Sequence, residues 1–264
     1  MREFDDQLEK TMCSIERGGM MVKHILMCLL LVIAVGKTQD VDSLIDHAVA
    51  LYETRHLDEA NLAKSESILE GIVENDPENV RALYELSKVC YQLGDGVEKK
   101  GEKLDYYKRG RDYGREAKEL DDESPDAHFW YMVNVGRIGQ TKGVLNSLFL
   151  VPDVKKSIER VLELDPGHIG ALDAQAMLYY ELPGFLGGSL KKSAASLNEG
   201  IALDSNYALL YVDMAKVQIK KKDYEKARWY LNRLLEIDSP TYEADYILDD
   251  KPEALQILDE IKDK

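Results

Sequence analysis

Four times in this chain an acidic helix end runs into Asp-Pro or a close variant and then into a fresh amphipathic pattern. The four are Glu74-Asn75-Asp76-Pro77, Asp122-Glu123-Ser124-Pro125, Glu163-Leu164-Asp165-Pro166 and Ile237-Asp238-Ser239-Pro240. Leu203-Asp204-Ser205 fills the gap between the last two. A beat of about 34 to 48 residues with two helical patterns in each unit is the signature of a helical solenoid. One helix pair cannot bury its apolar stripe alone, so successive pairs stack into one continuous core. Folds of this kind bind partners far more often than they catalyse.

The units lie on one another. Lys222 to Asp238 reads as the second helix of a tetratricopeptide repeat, with Ala227 where two helices approach closely and Leu231 and Leu234 on the buried face. Ser189 to Ser205 and Asp153 to Pro166 repeat that layout, with Leu197 and Ile158 at the matching core position, and Glu59 to Pro77 and Lys103 to Pro125 carry it with insertions. The first helices are Ser43 to Thr54, Asn79 to Leu93, Asp126 to Gln140, Gly167 to Leu182 and Asn206 to Lys221. The expected fold is therefore all-α: a tetratricopeptide-like helical-repeat solenoid of about five helix pairs over residues 42–264, with a closing helix from Pro252 to Lys262.

Composition narrows the partners. A hydrophobic content of 45% is ample for a core, and a net charge of −15 repels phosphate backbones, so nucleic acid is excluded as a partner. Residues 1–36 are read apart from the repeats. Ile25 to Val35 is an apolar run preceded by Lys23 and followed by Gly36, with small residues where a signal peptidase looks. A membrane span needs roughly 20 apolar residues, so the run is short for an anchor. The expectation is an exported, periplasmic protein cleaved after Gly36, with an uncleaved anchor as the alternative. Met1 to Gly19 is polar and acidic, unlike the start of a leader, and Met20 or Met21 is the better start. With Cys13 and Cys28 ahead of the cleavage point, Cys90 stands alone in the mature chain and is read as core packing.

Catalytic constellations are scarce. The histidines His24, His47, His56, His128 and His168 form no pair at metal-ligand spacing, and no Gly-rich turn matches a phosphate loop. Ser189-Leu190-Lys191-Lys192 has the Ser-x-x-Lys form of some acyl enzymes but lacks its companion motifs, and Ser189 stands where a helix needs an N-cap. No enzyme activity, metal or cofactor is expected.

The middle of the chain is unusual. Asp126 to Arg137 is rich in large aromatics and sets Trp130, Asn134 and Arg137 on one helical face. That face reads either as a ligand-orienting site in an apolar cleft or as a hydrogen-bond network between repeats. Thr141 to Pro152, with Phe149, inserts an apolar segment where a short turn is expected, and Glu181 to Gly188 shapes a rigid loop around Phe185 and Leu186, just after Tyr180. Two such insertions point to a lined pocket, a pore or a self-association surface that would make a homo-oligomer.

These motifs carry a resemblance. Val135-Gly136-Arg137-Ile138-Gly139-Gln140-Thr141-Lys142-Gly143, then Leu148-Phe149-Leu150-Val151-Pro152, Glu163-Leu164-Asp165-Pro166, and Leu182-Pro183-Gly184-Phe185-Leu186-Gly187-Gly188 with Lys191-Lys192-Ser193 resemble the T component of tripartite ATP-independent periplasmic (TRAP) transporters. More distantly the chain is similar to the regulator of microtubule dynamics family. The first resemblance implies a periplasmic helical-repeat protein that associates with the transporter's solute-binding protein and offers a cavity for a small apolar or carboxylate ligand. Trp130, Asn134, Arg137, Phe149, Tyr180 and Phe185 are its candidate pocket or rim residues. The second reading is a general envelope scaffold for protein partners with no small-molecule ligand.

Overall fold

The computed structural model describes residues 41–264, the side chains of residues 144–147 excepted. The expectations placed on residues 1–36, including the leader, its cleavage and Cys13 and Cys28, lie outside the described residues. The chain divides at Asp46: residues 41–46 open helix α1 (41–53), and His47–Lys264 carries the rest of it and all later elements. These are α2 (Ala60–Asn75), α3 (Val80–Gly96), α4 (Lys100–Leu120), α5 (Pro125–Lys142), α6 (Val144–Leu164), α7 (Ile169–Glu181), α8 (Leu190–Leu203), α9 (Leu209–Lys220) and α10 (Tyr224–Leu235). They pair in chain order, and each pair packs on the next, giving the five-pair helical-repeat solenoid that the periodicity requires.

One backbone device makes the beat. Asp76, Asp121, Asp165 and Asp204 follow α2, α4, α6 and α8 and leave the helix at φ of −140°, −138°, −136° and −141°. At three of them the carboxylate Oδ1 accepts the N–H two residues on, from Glu123 at 3.0 Å, Gly167 at 2.9 Å and Asn206 at 2.8 Å. Aspartate recurs because its short carboxylate closes this turn where the helix ladder ends. The next helix is then capped: Asn79 accepts from Ala82 N–H, Ser124 from Ala127 N–H with Pro125 following, and His168 Nδ1 from Ala171 N–H. Ser189 accepts from Lys192 N–H at 3.3 Å, the capping role expected of it.

The core lies between the helix layers. Leu83, Ala117 and Ala127 hold the second pair to the third. Ala176, Leu197, Leu210, Met214 and Val217 join the fourth to the fifth. Ala227, Leu231 and Leu234 are fully buried where the repeat pattern put them, as are Leu197 and Cys90. Burial pushes the Cys90 thiol up to about 12, so it remains protonated.

Two elements depart from the sequence reading. The helix expected from Asp153 begins at Val144, so the apolar stretch before Pro152 is not a long connection but the first turns of α6. The turn itself is Gly143, whose φ of 99° reverses the chain between α5 and α6 in a single residue. Pro152 is tolerated within α6 at the loss of one ladder bond. The second departure follows Ser239-Pro240. No regular first helix starts there; a turn of α-helix, α11 (Glu243–Asp245), runs through a π-helical turn (Tyr246–Asp250) into the closing helix α12 (Lys251–Glu260). Tyr246, Ala254, Ile257 and Ile261 seal the last pair against Tyr211, Val212, Ala215 and Leu231.

Close approach of α4 to α5 rests on Gly114. A Cβ there would sit 2.7 Å from Tyr131 Cα and 2.8 Å from its N, atoms of a backbone that cannot step aside. Alanine gains about 1 kcal/mol of intrinsic helix propensity over glycine, but overpacking costs about 1–3 kcal/mol. Gly114→Ala is expected to lower stability by about 1–2 kcal/mol net, seen as a lower urea midpoint with an unchanged slope.

Candidate functional site: an aromatic and cationic face

Helices α1, α3 and α5 are the first members of three successive pairs, and their side chains interleave on one face. Lys88 Nζ of α3 lies 4.3 Å from the ring centre of Tyr52 and 5.8 Å from that of Trp130. Trp130 packs at 5.9 Å on Tyr91 and edge-on at 4.9 Å on Phe129, which in turn meets His168 of the next pair at 4.6 Å. The Arg137 guanidinium lies 5.1 Å over Tyr91, donates to the Tyr91 hydroxyl oxygen at 3.0 Å, and pairs with Asp95 at 2.7 Å. Tyr107 donates to the other oxygen of Asp95. The result is a ladder of rings and cations in an otherwise acidic protein.

Burial decides the electrostatics of this face. It pushes the Tyr91 phenol up to about 12 and raises that of Tyr52 well above its ordinary value, so both are neutral at every physiological pH. Burial works against the charge of Arg137, but Tyr91 and Asp95 more than offset it and its pKa rises.

The six candidate residues do not converge. Trp130 and Arg137 belong to the ladder. Asn134 does not: it is 0% exposed, and its amide donates to Ser87 O at 3.0 Å, Ser87 Oγ at 3.1 Å and Trp130 O at 3.0 Å. It ties α5 to α3 and is a packing residue rather than a ligand contact. Phe149 and Phe185 are 83% and 87% exposed, so neither lines an enclosed pocket. Apolar surroundings suggested by their sequence context are absent because α6 and the Gly184–Leu186 turn present them outward. Tyr180 lies elsewhere, in a cleft of about 360 Å³ shared with Lys216, Ile219, Glu253 and Ile257.

Sequence reasoning missed a third group. Arg55 follows α1 in the first repeat, and its guanidinium forms an ion pair with Asp245, 190 residues on, while Nη1 donates to Tyr52 O at 3.1 Å. Further along, Lys216 of α9 pairs with Asp213 at 2.8 Å and with Glu253 at 2.9 Å. Asp213 and Asp250 are buried beside Asp173, whose Oδ1 is enclosed with no hydrogen-bond partner. Burial, then the Asp213 charge, holds Asp173 well above the usual carboxylate range. Among the described residues no set of His, Cys, Asp and Glu is arranged to hold a metal ion, and no helix is long and apolar enough to cross a membrane.

With this geometry in hand, comparison places the chain. The sequence profile of the regulator of microtubule dynamics protein 1-3 family matches residues 44–183, just over half of the chain. The chain belongs to that family. The match spans α1 to α7 and so includes every rung of the ladder. The fold of this family member is similar to that of TTC0263, a thermophilic tetratricopeptide-repeat protein of Thermus thermophilus, at a TM-score of 0.63 and 13% identity over 82% of this chain and 99% of that one. It is also similar to pilF of Pseudomonas aeruginosa, at 0.50 and 15% identity over 85% and 95%. No protein of curated function matches the chain in sequence. At these identities the structural likeness is one of fold, and the tetratricopeptide-like solenoid is its content.

Two measurements probe the site. Asn134→Ala is expected to cost about 2 kcal/mol by stranding the Ser87 acceptor in the core, read from the urea midpoint. Asp250 is held up to about 7 by burial first, and then by Asp245, Asp249, Asp213 and Glu253. A carboxyl raised in the folded state stabilises fully below its unfolded value near 4, and that contribution is lost as pH rises through about 7. The gain in stability of Asp250→Asn over the native chain should therefore grow between about pH 4 and 7, reaching on the order of 4 kcal/mol, and level off above. Thermal melts across that range give the answer, and a pH-independent difference would contradict it.

Proposed function

We propose that the chain is an adaptor that holds a protein partner against the face shared by α1, α3 and α5. The observation that carries this reading is the Tyr52, Lys88, Trp130, Tyr91 and Arg137 ladder, built across three successive repeats rather than within one. Aromatic and arginine side chains are the anchors that dominate binding energy at protein interfaces. A helical solenoid sets them along one extended face, with Tyr52 and Lys88 largely buried and Arg137 partly exposed, and the family and fold support a protein-binding scaffold rather than a catalyst.

The finer reading is that the adaptor is exported and works beside a TRAP-type transporter, with its periplasmic solute-binding protein as partner. The apolar run from Ile25 to Val35 supports export, and the ordered motifs from Val135 to Ser193 support the transporter role. The small-ligand version of this reading has less support, because only Trp130 and Arg137 share a face, while Asn134 is buried, Phe149 and Phe185 point outward and Tyr180 lies in another cleft.

The test is affinity capture from an envelope extract of the source cell with tagged protein, followed by mass spectrometry. The expected result is strong enrichment of one solute-binding protein, reduced at least about tenfold by Arg137→Ala, as for loss of an interface anchor. A varied set of envelope proteins with no such subunit would return the reading to the general scaffold. Retention that is indifferent to Arg137→Ala would remove the ladder from the interface.

A further inference from the structure

Between the last repeat and the closing helix, the chain does something a solenoid does not need. Thr241 N–H bonds to Asn206 O at 3.1 Å, and Tyr242 sits edge-on to Tyr207 at 5.3 Å, so the segment starts on the fifth pair. Three residues later Asp245 reaches Arg55 of the first pair. By Glu253 the chain is back on Lys216 of the fifth. The excursion runs from the fifth pair to the first and back, and its charged residues are nearly all acidic: Glu243, Asp245, Asp249, Asp250 and Glu253, against Lys251 alone.

The surface beneath it is matched in charge. The Arg55 side chain is 4% exposed, its Nε is enclosed with no partner, and Asp245 supplies the one carboxylate that pairs with it among the described residues. Asp249 feels the opposing charges of Arg55 and Arg137, the second being the cation at the far end of the ladder. A buried guanidinium is costly without a carboxylate, so this face is built to be covered by an acidic segment. The cover is only partly seated: Ala244, Tyr246 and Asp250 are buried, but the rest of the segment is not. It includes a π-helical turn, an uncommon form that is frequent at functional sites, and leaves Ile247 and Leu248 exposed. Asp250 is also driven against Asp213 and Asp173, three carboxylates with Lys216 as the cation among them.

We infer that residues 242–253 are a built-in occupant of the binding face, and that the partner engages it with an acidic helical segment of its own that displaces them. The inference rests on the adaptor reading and adds the chemistry of the partner: carboxylates spaced to meet Arg55, Arg137 and Lys216, with an aromatic residue near the first. The folded chain is then a closed state. Attraction at Arg55 and the burial of Ala244 and Tyr246 hold the occupant in, and repulsion at Asp250 from Asp245, Asp249, Asp213 and Glu253 loosens it, which is the balance a displaceable element requires.

The probe is a fluorescein-labelled peptide of the sequence Thr241 to Glu253, titrated into the full chain and followed by anisotropy. Asp245→Lys, which sets a second cation against Arg55, should bind the peptide at least ten times more tightly than the native chain does. Adding Arg55→Gln to that variant should remove the gain. Hydrogen exchange should show amides of 242–250 accelerated in Asp245→Lys while those of α9 stay protected. If Asp245→Lys does not fold, the native chain saturated with peptide must show the same acceleration. Equal peptide affinity in the native and Asp245→Lys chains, or binding that survives Arg55→Gln, overturns the inference. Partner capture that depends on Arg137 but is unmoved by Asp245→Lys would leave the adaptor standing and the displacement wrong. Peptide binding with the predicted variant pattern, and no captured partner, would support the displacement and count against the adaptor.

Discussion

A helix pair with an apolar stripe on each side has no way to bury both by itself, and the organisation of this protein follows from that. Each pair here uses its neighbours: Leu83 and Ala117 meet Ala127 of the next, and Leu197 meets Leu210 and Met214. The stack then has an end, where Tyr211, Val212 and Leu231 would face water. Helix α12 closes it with Ala254 and Ile257, and Ile261 just after it completes the seal. The connection that delivers α12 carries Glu243, Asp245, Asp249 and Asp250, and it lies against the first repeat through Asp245 and Arg55.

The second organising force is charge held in a poorly solvated place. A chain of net charge −15 has many carboxylates in water, where their interactions are weak. On the face of α1, α3 and α5 the cations are instead set among rings, and the carboxylates that meet them are few and placed. Arg137 is held by Tyr91 and Asp95 and Arg55 by Asp245, and away from this face Lys216 of α9 is held in the same way by Asp213 and Glu253. The same desolvation that strengthens these pairs penalises the carboxylates left without a full partner, Asp173 and Asp250. Strong attraction and local repulsion therefore occur within one short stretch of chain, and a partner of the right charge can exploit the difference.

Much of the architecture was legible because it is made by local chemistry. The aspartates at 76, 121, 165 and 204 turn the chain by bonding to a backbone two residues away or by ending the helix ladder, and such turns repeat wherever the residue does. Ser189 as a cap and Ala227 with Leu231 and Leu234 as a buried face are decided within one or two helical turns. The start of α6 was misplaced because Pro152 looks like a boundary, whereas one missing ladder bond in a long, well-packed helix is tolerated. The site was only partly readable. Trp130, Asn134 and Arg137 share a helical face by spacing, and all three meet α3, but at different depths: Asn134 is fully buried against Ser87 while Arg137 meets Tyr91 and Asp95 nearer the surface.

The sequence by itself determined the repeat period, the pairing of helices, the apolar positions that stack and the acidic exterior. All of these follow from periodicity, capping and turn chemistry, which act over a few residues. Only the tertiary structure decided that Arg55 would meet Asp245, that Lys88 would lie between Tyr52 and Trp130, and that Phe149 and Phe185 would face outward. Those outcomes depend on how each helix pair packs against the next, over five pairs. No local pattern in the chain encodes that packing.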